Sequence, residues 1–273
     1  MSKIIRKISL PEQFVWIVAA SLFVFTGTGC NTKIEGCLEA NAENFDLNAE
    51  RPCSGCCTYP SMNLSLTQKW NDRNFTNSDT LYDIHSNPYK ILDLKYYLSS
   101  WAWLDTEGVY YTVDSVEAGC NDAMLRFTTD NLIIDSKQFV YTIGTIRRSP
   151  LMDSLRFTLG LHQDFSCLDT SDPDTPASLT DQSPLWSGES SSLETLRIIV
   201  QRQLDQGATD TLYINTRLDV RLGYLLQLRP GTDAQINLTV NYAQWFLGAD
   251  VSDLTSFSNS IIANFEGSII RTP

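Results

Sequence analysis

The chain has 273 residues, of which 42% are hydrophobic and 11% aromatic, and its formal net charge at pH 7 is −12. This is an ordinary globular composition, so we expect disorder only in short stretches, and the length allows a sizeable apolar core in one large domain or two smaller ones. The acidic balance opposes contact with phosphate backbones and anionic headgroups, so we expect no nucleic-acid partner and no electrostatic docking on a membrane.

Residues 1–29 are typical of a secretory signal, because basic residues precede an apolar run at 14–25. That run is too short for a membrane span, which needs roughly 20 residues as a helix. Small residues stand directly before Cys30, as in bacterial lipoproteins whose cysteine is acylated, although the usual leucine three places earlier is Gly27 here. We predict lipidation at Cys30, the alternative being an ordinary signal peptide followed by a cysteine that pairs with another.

Removal of the signal leaves 17 Lys/Arg and 31 Asp/Glu, a net charge of −14, so acyl chains must supply the membrane attachment. We therefore expect an exported lipoprotein, held at the outer membrane and facing the periplasm or the cell surface. Residues 30–35 are predicted to be a tether.

Residues 36–60 form the next unit, hereafter the cysteine module. Its small residues, Asn/Asp turns and four cysteines leave little to bury, so it needs cross-links. With Cys30 acylated, six cysteines remain, and an even number in an exported chain predicts disulfides in any of fifteen pairings. The disulfide candidates are Cys37, Cys53, Cys56, Cys57, Cys120 and Cys167.

The cluster Cys53, Cys56 and Cys57 could instead hold zinc, but no histidine is near and exported thiols usually oxidise. The module resembles short cysteine-bearing modules in surface and secreted proteins of Bacteroidetes-type bacteria. The matching residues are Gly36, Cys37, Ala42, Asn44, Phe45, Asp46, Ala49, Cys57 and Tyr59.

Residues 61–273 contain short runs of β-branched and aromatic residues separated by polar turns. Several alternate, as where Ile236, Leu238 and Val240 flank polar residues, and this places one face on a core. The predicted strands are 62–70, 89–105, 109–116, 124–127, 138–147, 154–161, 193–202, 210–219, 221–228 and 235–242. Without βα alternation, such strands predict an all-β antiparallel sandwich with long loops, preceded by a small disulfide-stapled segment.

Two later stretches interrupt this pattern. Residues 167–192 are rich in Ser, Pro and Asp and are predicted to form a long surface loop. Residues 249–260 are predicted to be a loop or short helix before a closing run at 261–270. Four loop acids could offer oxygens to calcium, but their spacing lacks the Gly turn of a dedicated calcium loop: Asp169, Asp172, Asp174 and Asp181.

The segment 91–115 is similar to the MbnP-like family, through the motif Lys-Tyr-Tyr-Leu-Ser-Ser at 95–100 and the turn 105–108. Weaker matches follow in order at Leu159-Gly160, at Ser-Pro-Leu-Trp in 183–186 and at 262–265. The family comprises exported proteins named for a copper-binding periplasmic member that accompanies methanobactin. The resemblance implies a β fold over 62–269 and a copper-binding capacity.

The aromatic pairs in this segment are interpreted first as structure. Tyr96 and Tyr97 face opposite sides of a strand, whereas Trp101 and Trp103 share one face. Core packing is the expected role, the alternative being an exposed stacking platform.

The ligand inventory for copper is small. The chain has two histidines, His85 and His162, and three methionines after the signal, whereas copper sites bring several imidazoles or thioethers together. In the family a histidine often ends the first strand, where this chain has Lys69-Trp70. A W-x-W motif often follows Ser-Pro-Leu, where this chain has Trp186-Ser187-Gly188. We therefore expect a degenerate metal site, with His85 and His162 as candidate ligands and copper as the cofactor to test.

The family resemblance alone makes Trp186 a further candidate, as a ligand-binding residue of the long loop. The alternative is that Trp186 is an anchor that packs this loop onto the body. The expected function is a lipid-anchored binding protein, or else a structural or adhesion lipoprotein with an unspecified protein or small-molecule partner. No enzyme is expected, because neither histidine stands beside a recognisable nucleophile turn and no hydrolase, metalloprotease or phosphate-binding motif occurs.

Overall fold

The computed structural model describes residues 33–77, 79–112, 114–120, 123–147, 151–161, 167–170, 175–204 and 207–272. The predicted signal segment, Cys30 and His162 lie outside these residues. None of the helices in the described ranges is long and apolar enough to cross a bilayer.

Most of the described chain is β structure. The strands are β1 (Glu35–Gly36), β2 (Arg51–Pro52), β3 (Ser61–Trp70), β4 (Arg73–Asn74), β5 (Leu81–Tyr82), β6 (Pro88–Leu104), β7 (Val109–Tyr111), β8 (Ser115–Cys120), β9 (Ala123–Thr128), β10 (Leu132–Asp135), β11 (Val140–Thr145), β12 (Leu151–Leu159), β13 (Trp186–Ser187), β14 (Ser192–Leu193), β15 (Leu196–Gln203), β16 (Ala208–Ile214), β17 (Leu218–Gln227), β18 (Ala234–Asn241) and β19 (Ile269–Arg271). The α-helices are α1 (Tyr242–Trp245) and α2 (Leu254–Asn264).

Two sheets pack around one core, which confirms the predicted β-sandwich. The larger sheet has the order β16–β15–β6–β12–β17, with β5, β7 and β10 also on β6. The smaller has the order β11–β3–β18–β19, with β4 on β3, and its β3–β18 pair is parallel, a departure from the otherwise antiparallel pairing of these two sheets. Buried residues of both sheets form a single apolar cluster. Strand β3 shows the predicted alternation, with Met62, Leu64, Leu66 and Gln68 buried.

Strand β6 is the central strand of the larger sheet. Before Tyr97 it pairs with β15, and after Tyr97 it pairs with β12. The Tyr97 N–H donates to the Thr195 carbonyl, and the Tyr97 carbonyl accepts from Gly160 N–H, each at 3.0 Å. The N–H and the carbonyl of one strand residue point to the same edge of the strand. Strands β15 and β12 therefore lie end to end along the same edge of β6. Gly160 has φ +99°, and a Cβ there would lie 2.7 Å from the Thr216 carbonyl oxygen, so glycine permits this close junction.

A bulge within β6 changes the face of the sheet on which the following aromatic side chains lie. Ser100 has φ +57°, and the pairing of β6 with β12 shifts register nearby. Tyr96, Trp101 and Trp103 all enter the main core, although Tyr96 and Trp101 are an odd number of residues apart. One extra residue in the strand accounts for this, because it inverts the alternation of faces. Core packing of both tryptophans agrees with the expected role.

Three predicted segments differ in detail from the structure. The predicted strand 109–116 is two strands, β7 and β8. The loop 167–192 carries a short 3-10 turn, Ala177–Leu179, and a small hairpin formed by β13 and β14. Helix α2 extends into the predicted closing run, because Phe257 and Ile261 on one of its faces enter the core.

The cysteine module docks against the β body at its own C-terminal end and through a turn near β18. The Gly231 N–H donates to the Asn41 carbonyl at 3.3 Å, and the Ile146 N–H donates to the Pro60 carbonyl at 3.3 Å. The Arg147 guanidinium lies 4.6 Å from the centre of the Tyr59 ring. Inside the module β1 and β2 pair in parallel, and the Glu43 and Asp46 N–H groups donate to the Thr58 and Cys37 carbonyls.

Candidate functional site

Three groups of polar side chains are candidates for function: the turn between β5 and β6, the outer face of β6 under the long loop, and the cysteines of the module. The first contains His85, the second lies near Trp186, and the third contains four of the predicted disulfide candidates.

The β5–β6 turn is organised by one carboxylate. Asp83 Oδ1 accepts from the His85 and Asn87 N–H groups at 2.8 and 2.7 Å, and Oδ2 accepts from Asn87 Nδ2 at 3.0 Å and Val251 N–H at 3.2 Å. Burial opposes the charge of Asp83, but these hydrogen bonds outweigh it and hold the pKa of Asp83 below its ordinary value. Both carboxylate oxygens are thus engaged, so Asp83 acts as a structural clamp.

The His85 imidazole lies near a second carboxylate, that of Asp250. The His85 side chain is 61% exposed, and Nε2 lies 3.6 Å from Asp250 Oδ2. The pKa of Asp250 is lowered, mainly by hydrogen bonds from the Ser252 hydroxyl and N–H. An imidazole and an ionised carboxylate therefore face each other at the surface.

A partly open cavity of about 620 Å³ lies beside this pair. Its wall includes Asn87 of the turn and Val251, which follows Asp250 in the sequence, together with Arg202 and Asp210. The Arg202 guanidinium donates to both oxygens of Asp210 at 2.6 and 2.8 Å, so its charge is already matched. Among the described lining residues the wall is mixed polar and apolar, and its cation, Arg202, is paired with Asp210.

The outer face of β6 carries a network of four charges. Lys95 lies between Asp93 and Asp135 in ion pairs with both, and Arg197 of β15 pairs with Asp93. Burial raises the pKa of Asp135, but the hydrogen bond from Lys95 and further donors overcome that, so its net pKa is lowered. The charges cancel, which is typical of a structural network that lets charged side chains lie half-buried on a sheet.

Tyr97 joins this face to the long loop. Its hydroxyl donates to the Ser178 carbonyl and is hydrogen-bonded to Ser183 Oγ at 2.8 Å, and burial raises its pKa to about 12. Trp186 lies in β13 of the same loop, is half-buried and pairs with Leu193. Its position in a hairpin on the body is compatible with the anchor role.

The cysteines of the module are brought together in two bridges, Cys37–Cys57 and Cys53–Cys56, and the third bridge joins Cys120 of β8 to Cys167. The sulfurs of Cys53, Cys56 and Cys57 lie within 4.8 Å of one another. Spacing alone left fifteen pairings open, and the structure selects one.

A converging copper ligand set is not assembled among the described residues. Met62 and Met152 are buried in the apolar core, whereas the His85 side chain is exposed on a turn. His85 and Asp250 supply one nitrogen and one oxygen, a donor set suited to a divalent ion but too small for a closed site. Of the predicted acidic cluster, Asp172 and Asp174 lie outside the described residues.

Sequence reasoning identified His85 but missed Asp250. The two are far apart in sequence, and no local pattern connects them. The Asp-x-His-x-Asn-Pro spacing at 83–88 does signal a turn, because Asp side chains accept hydrogen bonds from backbone N–H groups two residues on.

The model of the MbnP family matches residues 59–263, which is 205 of the 273 residues. No curated protein matches this chain. Among solved structures, the chain is similar to MbnP from Methylosinus trichosporium, with 11% sequence identity over 70% of this chain and 79% of that chain and a TM-score of 0.37. At that TM-score the structural likeness carries no argument, so the relationship rests on the family match.

Proposed function

The chain belongs to the MbnP family, and from that membership we propose that it is an exported, lipid-anchored protein that binds its ligand and does not transform it. The match over 205 residues carries this proposal, because it covers almost the whole β body. Export and anchoring are supported by the sequence before Cys30 and by the three disulfides, which persist in oxidising compartments.

The proposed metal contact is His85, with Asp250 as its nearest acidic partner and His162 as the second candidate ligand. The support is the exposed imidazole facing a carboxylate across 3.6 Å beside the cavity of about 620 Å³. Copper is the ion to test on family grounds, and with an imidazole and a carboxylate the divalent form fits better than Cu(I). When bound, the ion would supply a Lewis-acidic or redox centre, while Asp83 would hold the turn in place.

A non-catalytic role is supported by the neighbours of His85. Its imidazole faces Asp250, its backbone N–H is held by Asp83, and the Ser252 hydroxyl near it donates to Asp250, so the described contacts of His85 are with carboxylates.

The test is a copper titration of the soluble fragment from Asn31 onward, which lacks the lipid-bearing Cys30. We expect binding at micromolar or lower dissociation constant that is lost in the variant His85→Ala with His162→Ala. The matched control is Asp210→Asn, which changes a carboxylate on the cavity wall without touching the imidazole. Absent binding, or binding equal in the double variant, would remove the metal proposal.

The second candidate is a structural or adhesion role at the cell surface. It is favoured by four apolar side chains that are exposed to solvent, three in the cysteine module (Leu38, Phe45 and Leu47) and one in the tether before it (Ile34). If the histidine variants leave copper binding unchanged, this interaction role becomes the better assignment.

A further inference from the structure

The two bridges of the cysteine module differ in burial and in what they cross-link. Cys37–Cys57 joins residues 20 apart and has one end almost fully buried, since Cys37 is 1% exposed. Cys53–Cys56 joins residues only three apart, and Cys56 lies on the surface. A bridge that closes a longer loop restricts the unfolded chain more, so Cys37–Cys57 is the structural cross-link and Cys53–Cys56 contributes little to folding.

Backbone contacts hold the cysteines of the short bridge independently of its S–S bond. The Cys53 N–H donates to the Gly36 carbonyl at 3.0 Å. Asn44 Nδ2 donates to the Cys56 carbonyl at 2.7 Å, and Asn44 Oδ1 accepts from Thr58 N–H at 2.9 Å. The two Cα atoms are 5.7 Å apart. If the bridge opens, these hydrogen bonds keep the backbones of Cys53 and Cys56 close together, within reach of a shared ion.

The loop between them is built as a tight turn on the outside of the module. Gly55 has φ +70°, a left-handed conformation that glycine adopts without strain, and nothing lies within 4 Å of where its Cβ would be. The turn is therefore open to an approaching thiol reductant or ion.

We propose that Cys53–Cys56 is a reducible bridge whose dithiol form binds one Cu(I) ion. An external dithiol reduces the bridge by thiol–disulfide exchange: it loses two electrons and its two thiol protons, becomes a disulfide, and leaves Cys53 and Cys56 as thiols. Cu(I) then binds both sulfurs and displaces their two protons.

The ligand set selects the ion. Thiolates favour Cu(I), zinc or iron–sulfur clusters. A structural zinc site needs four nitrogen or sulfur ligands, and a cluster needs four thiolates. Opening the short bridge frees only two sulfurs, because the nearby Cys57 sulfur stays bonded to Cys37. Two soft ligands suit Cu(I), and this site uses neither His85 nor His162, so it stands or falls separately from the proposed function.

The first measurement concerns the bridge. The soluble fragment from Asn31 onward is equilibrated in buffers of increasing reduced-to-oxidised dithiothreitol ratio, thiols are trapped with iodoacetamide, and the alkylated cysteines are located by peptide mass mapping. We expect Cys53 and Cys56 to be half-alkylated at a ratio at least tenfold below that needed for the other two bridges. Simultaneous opening of all three bridges overturns the proposal.

The second measurement concerns the metal. Chain reduced only at the short bridge, freed of reductant under nitrogen, is titrated with Cu(I) against a bicinchoninate competitor. We expect one Cu(I) per reduced chain, none for the oxidised chain, and none for Cys53→Ser with Cys56→Ser. The matched control, Cys120→Ser with Cys167→Ser, and the variant His85→Ala with His162→Ala should each still bind one. Cu(I) binding that survives in the Cys53/Cys56 variant contradicts the assignment.

Discussion

The β body and the cysteine module are stabilised by different means. The body buries a continuous aromatic and aliphatic core between two sheets, whereas in residues 33–59 Cys37 and Ala42 are the buried apolar side chains. The module compensates with two disulfides within a short segment. The difference shows that burial can hold a segment only when the sequence supplies enough apolar area, and that a segment without it needs covalent cross-links.

Truncating a core side chain should affect the body most. Trp245 is fully buried, its ring lies 4.8 to 5.3 Å from those of Tyr96, Tyr242 and Phe265, and its Nε1 donates to Ser268 Oγ at 2.6 Å. We expect Trp245→Ala to lower the free energy of unfolding by about 3–5 kcal/mol, because a large cavity remains. Urea denaturation followed by circular dichroism measures this loss.

The control for that change is Trp186→Ala, which removes the same side chain from a half-buried position in the loop. A clearly smaller loss is expected there. Equal losses for the two variants would contradict the view that the sandwich core, and not the loop, holds the body.

Removing the long bridge of the module should have a smaller and more local effect. We expect Cys37→Ser with Cys57→Ser to cost about 2–4 kcal/mol of module stability, since the loop closed by the bridge gains freedom when unfolded. Hydrogen exchange should then become fast at the module amides of Glu43 and Asp46, which donate to the Thr58 and Cys37 carbonyls, but stay slow in β3 and β18. Faster hydrogen exchange throughout β3 and β18 would show that the stability of the β body depends on the module. That result would contradict the claim that the two regions are stabilised separately.

The sequence predicted the body better than the sites. Alternation in β3 and the opposite faces of Tyr96 and Tyr97 follow from period-two geometry, so both could be predicted. The change of pairing partner at Tyr97, from β15 to β12, could not be predicted. It depends on which strands pair, and residues distant in the sequence decide that. The bulge at Ser100 has only the two serines as a local signal.

The candidate sites were harder for the same reason. His85 faces Asp250 because Asp83 accepts a hydrogen bond from Val251, a long-range contact that no short motif encodes. For helix α2 the sequence predicts only a loop or short helix over 249–260, since its Ser, Thr and Asn residues are poor helix formers. The Asp253 carboxylate, which accepts from Thr255 and Ser256 N–H, was the available signal for its start.

The smallest expected effect on the β body is a loss of stability at alkaline pH, caused by its buried tyrosines. Burial raises the pKa of Tyr97 to about 12, whereas an unfolded tyrosine ionises near about 10. Between these values the unfolded state has lost the proton that the folded state retains, so the stabilising contribution of Tyr97 is complete below about pH 10 and is lost as pH rises through about 12. Each such tyrosine makes the free energy of unfolding fall by about 1.4 kcal/mol per pH unit in this window.

Urea denaturation at pH 9, 10 and 11 tests this with Tyr97→Phe. The variant should start less stable by about 1 kcal/mol, from the lost hydroxyl contacts with Ser178 and Ser183. Its decline between pH 10 and 11 should be shallower than that of the unaltered chain. The control is Tyr59→Phe in the module, where the hydrogen bond to Glu39 is the main cause of the raised pKa and burial contributes less. If both variants make the fall in the free energy of unfolding equally shallow, the prediction is wrong. Tyr59, whose pKa is raised mainly by a surface carboxylate, would then contribute as much to alkaline instability as the buried Tyr97.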